Sequence, residues 1–474
     1  MNDPKEFRKF AHQFVDWMAD YLENIESYPV KSQVKPGEIF SKIPDFAPEK
    51  GESMESIFQD FQRIILPGIT HWQSPGFHAY FPGNSSYPSL LAEMLTATLG
   101  AQCMKWVTSP AATELEEKVM NWLKELIGIP AGWDGVIQDT ASTATLTAIL
   151  CAREKYSNFS INEKGFVGEN KYRIYCSTET HSSIEKAVRI AGYGKNSLVK
   201  IKTDSNYALD PLALEATIRN DINIGLEPVC VVATLGTTGS TAIDPLDKIA
   251  SICEKNNIWL HVDAAYAGTA LFLPEYKWMI NGINKADSFV FNPHKWLFTN
   301  FDCSAYFVKD KALLISTFEI LPEYLKTSTG KNVNDYCDWG IQLGRRFRAL
   351  KLWFVLRNFG VEGIQNKLRF HISLSKEFRN FIDNDKEFEL ITEPSVNVVC
   401  FHFIPTEISD IEKINLINET LLEEINKSGE VFLSHTKLNG VYTIRMVIGQ
   451  TNVERKHIVN AWELIKKSSL LLKF

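Results

Sequence analysis

The sequence predicts an α/β protein whose core is a mainly parallel central sheet. Between residues 85 and 310, short runs of β-branched and aromatic residues alternate with helical stretches. The runs are almost continuously apolar, which is typical of strands that helices cover on both faces. Ligands in such sheets bind beyond the carboxyl ends of the strands, so polar residues there are candidates for function. The predicted strands are residues 135–138, 172–176, 229–233, 258–262 and 288–291.

Two flanking regions complete the predicted organisation of the 474-residue chain. Residues 1–84 are predicted to form an N-terminal helical segment, because apolar side chains between positions 7 and 21 recur at helical spacing. A helix with one such stripe cannot bury it alone, so we expect it to pack on the main body or on a second subunit. Residues 85–361 are the predicted large domain. Residues 362–474 mix strand-like runs with helices and are the predicted small α+β domain.

Composition and charge disfavour several classes of protein. The formal net charge of −7 argues against broad nucleic-acid binding, which requires clustered lysine and arginine. No apolar run of about 20 residues is present, and no apolar core follows the first residues. We therefore expect neither a membrane span nor a signal peptide. The eight cysteines form no CxxC pair, which disfavours a metal site and fits reduced thiols in a cytoplasmic protein.

Lys295 and Asp263 are the first candidates for chemistry. Each lies at the end of an apolar run that is predicted as a buried strand, Asp263 within residues 261–268 and Lys295 within residues 291–296. A lysine can bind an aldehyde as a Schiff base, and a carboxylate can keep a pyridine nitrogen protonated. Alone, Lys295 could be a surface lysine and Asp263 a turn former. Together, at the ends of two strands, they indicate a pyridoxal 5'-phosphate enzyme.

Polar turns elsewhere could supply the remaining contacts to such a cofactor. Residues 135–145 run from a strand through a small polar turn into a helix, whose N-terminal N–H groups suit a phosphate. A plain helix cap has the same pattern. His181 stands before an amphipathic helix and could stack on the pyridine ring, or be only a helix N-terminal histidine. The hydroxyls of residues 233–240 could contact the cofactor or form an ordinary turn, and His294 could add a donor.

Seven segments of the chain, which include those around His181, Asp263 and Lys295, resemble in their sequence and order the group II pyridoxal-phosphate-dependent decarboxylases. The resemblance is strongest to the aromatic L-amino-acid decarboxylases, and the turn 139–143 looks like their bacterial variant. It implies a fold-type I structure similar to aspartate aminotransferase and a homodimer whose N-terminal helices wrap on the partner. The matching segments are 71–75, 79–82, 109–116, 179–187, 261–268, 292–296 and 343–348.

The resemblance also implies a role for each candidate in the cofactor site. Lys295 would form the Schiff base, Asp263 would contact the pyridine nitrogen, and His181 and Ala265 would lie on the two faces of the ring. Thr238 would lie near the phenolic oxygen of the cofactor or the carboxylate of the substrate. The residues implied as phosphate ligands are Ala141, Ser142, Asn292 and His294.

Two positions bear on the type of reaction. In the family a tyrosine on a mobile loop returns a proton to Cα after CO₂ has left, and the matching residue is Tyr324, within the poorly patterned stretch 311–340. Oxygen-using aldehyde synthases on the same scaffold tend to carry Phe at that tyrosine or Asn at the stacking histidine. Tyr324 and His181 therefore favour simple decarboxylation over aldehyde formation.

The substrate class follows from the residues that the resemblance places around the ring of the substrate. Gly344 leaves room for an indole, so the expected substrates are tryptophan and 5-hydroxytryptophan, with DOPA, tyrosine and phenylalanine also fitting. Gly83, Gln102 and Met104 depart from animal members, which leaves the ranking open. Arg445 is a weak candidate for a substrate carboxylate contact, because such a clamp would stabilise the ground state. The predicted pocket residues are Trp72, Tyr80, Phe81, Pro82, Met104 and Gly344.

Other functions fit the sequence less well. A glutamate or histidine decarboxylase is disfavoured by the aromatic run around Trp72 and Tyr80. A non-enzymatic nucleotide-binding protein would be expected to carry GxGxxG after a first strand, or the phosphate loop GxxxxGK followed by Ser or Thr. Neither motif is present.

Overall fold

A computed structural model of the chain describes residues 3–168, 171–320, 333–393, 395–406 and 408–472. Its internal contacts divide the chain into two compact units. The sheet unit comprises Gly83–Ser375 and Thr392–Val398. The terminal unit comprises Met1–Pro82, Lys376–Ile391 and Val399–Phe474, so it joins the two ends of the sequence.

A mainly parallel sheet of seven strands forms the core of the sheet unit and confirms the predicted α/β class. The strand order is β1-β7-β6-β5-β4-β2-β3, and only β7 runs against its neighbours. Every residue of β5, β6 and β7 is buried, which explains their continuously apolar sequences. The strands are β1 (Asp134–Gln138), β2 (Tyr172–Ser177), β3 (Leu198–Ile201), β4 (Glu227–Thr234), β5 (Trp259–Asp263), β6 (Ser288–Phe291) and β7 (Ser304–Val308).

Some helices of the sheet unit begin at a residue whose side chain caps them. The Thr140 side chain accepts a hydrogen bond from the Thr143 N–H, and Asp210 caps another helix through the N–H groups of Leu212 and Ala213. The helices are α3 (Tyr87–Leu99), α4 (Pro110–Ile127), α5 (Ala141–Ser157), α6 (Ser160–Lys164), α7 (Ser182–Ile190), α8 (Pro211–Asn223), α9 (Leu246–Lys255), α10 (Pro293–Trp296), α11 (Lys311–Phe318) and most of α12 (Arg348–Asp383). The helix α12 is interrupted at Gly360, where φ is +62°.

The terminal unit contains a four-stranded sheet in the order β10-β11-β9-β8. The N-terminal helices pack on each other through aromatic rings, with Phe14 and Phe58 centred 4.5 Å apart. The segment that follows them joins the C-terminal part of the chain, since the His78 N–H donates to the Phe432 carbonyl at 2.9 Å. The elements are α1 (Pro4–Glu23), α2 (Met54–Asp60), β8 (Phe388–Leu390), β9 (Val398–Phe403), α13 (Ile411–Lys427), β10 (Ser434–Leu438), β11 (Val441–Val447) and α14 (Arg455–Leu470).

Three further features of the described residues bear on the sequence predictions. None of the described helices combines the length and apolar character that a membrane crossing requires. Every cysteine is buried and has a free thiol. Within the same residues, no group of three or more metal-ligating side chains comes together.

Candidate active site

The carboxyl edge of the seven-stranded sheet brings together the three residues that carry most of the predicted chemistry. Asp263 is the last residue of β5, Lys295 lies in α10 directly after β6, and His181 precedes α7 after β2. The strands β5 and β6 are adjacent and parallel, so their ends meet at one edge. The charges of both Lys295 and Asp263 act on the pKa of His181, so the three side chains are close enough to interact.

Asp263 is held in a fixed orientation by the backbone around it. Its side chain is 5% exposed, and Oδ1 accepts a hydrogen bond from the Ala265 N–H at 3.0 Å. The Ala265 carbonyl accepts in turn from the Asn292 N–H at 3.0 Å, which ties the turn after β5 to the turn after β6. The carboxylate is therefore placed by hydrogen bonds rather than by a flexible side chain, as a partner for a protonated ring nitrogen must be.

Lys295 has the properties of an amine that reacts with a carbonyl. Burial lowers the pKa of Lys295, because removal from water disfavours the ammonium form, and the Asp263 carboxylate opposes this shift. A lowered pKa increases the fraction of neutral amine at physiological pH, and only the neutral amine is nucleophilic. The Lys295 backbone N–H donates to the Asn292 carbonyl at 2.9 Å, which fixes the start of the side chain.

His181 caps α7 through its ring. The Ser183 N–H donates to His181 Nδ1 at 3.1 Å, which leaves the ring proton on Nε2. Burial and the charge of Lys295 lower the pKa of His181, while the Asp263 carboxylate opposes them. A neutral imidazole with a fixed tautomer is suited to lie against a protonated aromatic ring, because it adds no like charge.

The predicted phosphate ligands occupy two elements near this edge. Ala141 and Ser142 are the first two residues of α5, whose first N–H groups have no partner within the helix. Asn292 is 2% exposed, and its Oδ1 accepts from the Ser304 hydroxyl at 2.6 Å, so its amide nitrogen remains the donor. Helix N–H groups and a buried amide are donors of the kind that bind a phosphate.

His294 adds a donor whose protonation state is set by its surroundings. The Cys303 N–H donates to His294 Nδ1 at 2.8 Å, so the ring carries its proton on Nε2. Burial, and after it the charge of Lys295, lower the pKa of His294 to about 3. The ring therefore stays neutral throughout the physiological range and offers one N–H donor rather than a charge.

Thr238 lies in the turn between β4 and α9, and a carboxylate that the sequence analysis missed shapes this turn. Asp244 is 1% exposed and accepts hydrogen bonds from the N–H groups of Leu209 at 2.8 Å and Thr234 at 2.7 Å. Burial raises the pKa of Asp244 to about 7. Thr234 pairs with Asp263 across β4 and β5, so Asp244 helps to place the end of β4 beside Asp263. The only signal in the sequence was an Asp-Pro pair after a polar turn.

Four of the predicted pocket residues, Trp72, Tyr80, Phe81 and Pro82, belong to the terminal unit. Trp72 and Tyr80 are 39% and 53% exposed, with rings stacked 6.0 Å apart. Arg445 is buried in the same unit, where it donates to the Ser434 hydroxyl at 2.9 Å and lies 5.5 Å from the centre of the Phe81 ring. These contacts give Arg445 a role inside the terminal unit.

Met104 and Gly344 belong to the sheet unit, where they lie on two connected segments. The Arg345 N–H donates to Gln102 Oε1 at 2.7 Å, and the Cys103 N–H donates to the Arg345 carbonyl at 3.0 Å. A Cβ atom built on Gly344 would lie 3.3 Å from Gln102 Nε2. Gln102 therefore occupies the direction in which a side chain at position 344 would grow. Tyr324, the predicted proton donor, lies outside the described residues.

The residues at this edge fit pyridoxal 5'-phosphate. The groups present are a lysine whose lowered pKa favours the neutral amine, a fixed carboxylate, a neutral imidazole, and the uncharged N–H donors of Asn292, His294 and the first turn of α5. Together these groups match an aldehyde, a pyridine nitrogen, an aromatic ring and a phosphate.

Comparisons with known proteins agree with the geometry. The family model described as the pyridoxal-dependent decarboxylase conserved domain matches residues 36–404. Tryptophan decarboxylase 2 of Oryza sativa subsp. japonica is 42% identical over 98% of this chain and 94% of its own length. Phenylacetaldehyde synthase of Arabidopsis thaliana is 44% identical over 99% and 97%. The crystal structure of Catharanthus roseus tryptophan decarboxylase in complex with L-tryptophan has a TM-score of 0.92 and 38% identity, over 98% of both chains.

Proposed function

The chain belongs to the family of pyridoxal-dependent decarboxylases, and we propose that it converts aromatic L-amino acids into arylalkylamines and CO₂. The observation that carries the chemistry is the Lys295–Asp263 pair at the carboxyl edge of the sheet, with a neutral His181 beside it. Support for aromatic substrates comes from the similarity to tryptophan decarboxylase over 98% of the chain. The proposed substrates are tryptophan, 5-hydroxytryptophan, DOPA, tyrosine and phenylalanine.

Each side chain at the edge has a defined task in this reaction. Pyridoxal phosphate, when bound, supplies an electron sink for the electrons that remain when a carboxylate leaves as CO₂. Asp263 would keep a proton on the pyridine nitrogen, because a nearby carboxylate favours the charged form. Lys295, whose lowered pKa favours the neutral amine, would hold the aldehyde of the cofactor. His181 would present an uncharged surface to the ring, and His294 would offer its Nε2 proton to the phosphate.

The return of a proton to Cα is assigned to Tyr324 in this proposal. The assignment rests on the resemblance, in which a tyrosine on the matching loop supplies this proton. Replacing Tyr324 by Phe is expected to suppress amine formation and to let aldehyde accumulate. Unchanged amine turnover in Tyr324→Phe would exclude this tyrosine from the reaction.

An aldehyde synthase is the second candidate, because phenylacetaldehyde synthase is 44% identical over nearly the whole chain. The two reactions differ in their balance. Decarboxylation gives one amine and one CO₂ per amino acid. The oxidative reaction consumes O₂ and water and gives aldehyde, CO₂, ammonia and hydrogen peroxide.

Product analysis with tryptophan and tyrosine separates these two candidates. We expect amine and CO₂ in equal amounts, at the same rate with and without O₂. Aldehyde and peroxide in place of amine, together with a requirement for O₂, would overturn the proposal. Five aromatic amino acids tested side by side then rank the substrates.

We further propose that the protein acts as a homodimer. The helix α3 exposes an apolar face, on which Tyr87, Leu91, Leu95 and Leu99 are 67%, 56%, 47% and 65% exposed. Residues four apart share one face of a helix, and a continuous exposed apolar face is typical of an interaction surface. A second copy of the chain is the proposed occupant, in agreement with the dimer that the resemblance implies.

Sedimentation of charged variants tests the dimer. The double variant Leu91→Glu/Leu95→Glu is expected to sediment as a monomer, because it buries two carboxylates in the proposed interface. Leu212→Glu, at a 78% exposed position on α8, is the matched control and should leave the dimer intact. A wild-type monomer, or a dimer in the double variant, would contradict the proposal. We also propose a cytoplasmic location, which the eight free cysteines support and cell fractionation tests.

A further inference from the structure

A buried ion pair lies beside β1, which is the edge strand of the main sheet among the described residues. Glu116 on α4 and Arg345 are 2% and 9% exposed. Arg345 Nη2 donates to Glu116 Oε1 at 2.6 Å and Nη1 donates to Oε2 at 3.1 Å, so the pair is bidentate. The Tyr336 ring lies 4.9 Å from the guanidinium carbon and covers it. A buried pair of this geometry contributes more to the position of its neighbours than to net stability.

The ion pair makes the backbone hydrogen bonds to β1 that a neighbouring strand would otherwise make. The strand β1 is the edge of the sheet and pairs on one side with β7. On the other side, the Ile137 N–H donates to Glu116 Oε1 at 2.9 Å, and the Ile137 carbonyl accepts from Arg345 Nη2 at 2.8 Å. Both backbone groups of Ile137 are thus satisfied by one ion pair. Because the end of an edge strand is otherwise free to fray, this arrangement fixes its position.

The end of β1 leads directly to the proposed phosphate site. The strand ends at Gln138 and α5 begins at Ala141, so only two residues separate them. A shift at Ile137 would therefore move the first N–H groups of α5. Anion binding by a helix N-terminus depends on the alignment of these groups with the anion.

The same arginine also fixes the segments that carry the proposed pocket residues. Its backbone N–H donates to Gln102 Oε1 at 2.7 Å, and its Nη1 donates to the Cys103 carbonyl at 3.4 Å. Gly344 precedes it and Met104 follows Cys103. Arg345 thus joins the strand before the phosphate site to the segment of Met104 through its side chain, and it follows Gly344 directly in the chain.

We propose that Glu116 and Arg345 are positioning residues. They hold the phosphate-binding end of α5 in a fixed position relative to the segments that carry Met104 and Gly344. The inference rests on the proposed roles of α5 and of Gly344. It assigns to the pair an effect on binding of the cofactor phosphate and of the substrate ring, without contact to either. A pair that only stabilised the fold would affect neither selectively.

The affinities of the full-length chain for pyridoxal phosphate and for pyridoxal, which lacks the phosphate, test the proposal. Arg345→Lys keeps the positive charge but loses the guanidinium that makes two hydrogen bonds to Glu116. The affinity for pyridoxal phosphate should therefore fall about tenfold. The affinity for pyridoxal should stay unchanged, and the KM for tryptophan should rise more than kcat falls. Glu116→Gln breaks the same pair and should give the same pattern, so it carries the comparison if Arg345→Lys does not fold.

Arg153→Lys is the matched control, because it weakens another arginine–glutamate pair, in which Glu154 is buried and Arg153 partly exposed, on the far part of α5. Arg153 Nε donates to Glu154 at 2.7 Å and Nη1 to the Ala191 carbonyl at 2.9 Å. It should lower thermal stability without changing the ratio of the two affinities. Equal ratios in all variants, with only stability reduced, would overturn the inference. A wild-type protein that binds both aldehydes equally would instead refute the phosphate site on which the inference rests.

Discussion

The catalytic edge of the sheet and the predicted pocket wall differ in how their side chains are held. At the edge, Asp263 and His294 are 5% and 4% exposed, and each accepts a hydrogen bond from a backbone N–H. In the pocket wall, Trp72 and Tyr80 are 39% and 53% exposed and contact other aromatic rings. The proposed catalytic groups are therefore held by the main chain of the sheet, whereas Trp72 and Tyr80 are partly exposed to solvent and contact other aromatic rings.

This contrast has a consequence for mutations. A group held by backbone hydrogen bonds has one working position, so its loss should abolish or strongly reduce the reaction. A pocket side chain changes the space available to a ring, so its replacement should alter the relative rates of substrates by a modest factor. The substitutions that follow test both halves of the comparison.

Lys295→Ala should have the largest effect. Without the amine the protein should lose the visible absorbance of the Schiff base and should not be labelled by borohydride, and turnover should fall by at least about 10⁴-fold. Lys202→Ala, at a side chain that is 75% exposed, is the control and should behave as the wild type. Borohydride labelling of another lysine in Lys295→Ala would show that the assignment is wrong.

Asp263→Asn should have the next largest effect. The amide keeps an oxygen for the Ala265 N–H but removes the charge that holds a proton on the pyridine nitrogen. We expect the Schiff base to form and kcat to fall about 10²-fold, a loss typical of removing one electrostatic contact to the reacting system. Stopped-flow spectra and steady-state kinetics measure the two effects. An unchanged kcat would leave Asp263 with a structural role alone.

The parts of this site that the sequence predicted share a local signal. Asp263 and Lys295 each follow a buried apolar run, and the turn before α5 joins a strand to a helix within a few residues. The short strand β3 carries the polar Lys200 and has no such signal. The Glu116–Arg345 pair joins positions 229 residues apart, so no local pattern reveals it. The role of Tyr324 stays a prediction.

Gly344→Ser should shift selectivity rather than abolish activity. The new side chain would grow towards Gln102 Nε2, which lies 3.3 Å from the position of its Cβ, so it must displace that amide or enter the pocket. We expect the ratio of kcat/KM for tryptophan to that for tyrosine to fall about tenfold. Gly132→Ser is the matched control, because nothing lies within 4 Å of its Cβ position.

The double variant Gly344→Ser/Gln102→Ala shows whether the serine changes selectivity by displacing Gln102 or by entering the pocket. If the serine acts by displacing Gln102, removing the amide should restore much of the preference for tryptophan. If the serine acts by filling the pocket, the double variant should keep the altered ratio. Equal loss on both substrates in Gly344→Ser would refute the explanation by size.

The smallest expected effect concerns the pH dependence of Lys295. Burial lowers its pKa and Asp263 opposes this shift, so the midpoint for its acylation should lie below the ordinary lysine value of about 10.4. Between the two values the unfolded chain binds more protons than the folded chain, so this group makes stability rise with pH. Competitive labelling of the cofactor-free chain with trace acetic anhydride, against a free lysine analogue, measures the midpoint. Asp263→Asn removes the opposing charge and should move the midpoint to still lower pH. If the midpoint moved to higher pH instead, the Asp263 carboxylate would not stabilise the charged form of Lys295. The two residues would then lie at adjacent strand ends without electrostatic coupling.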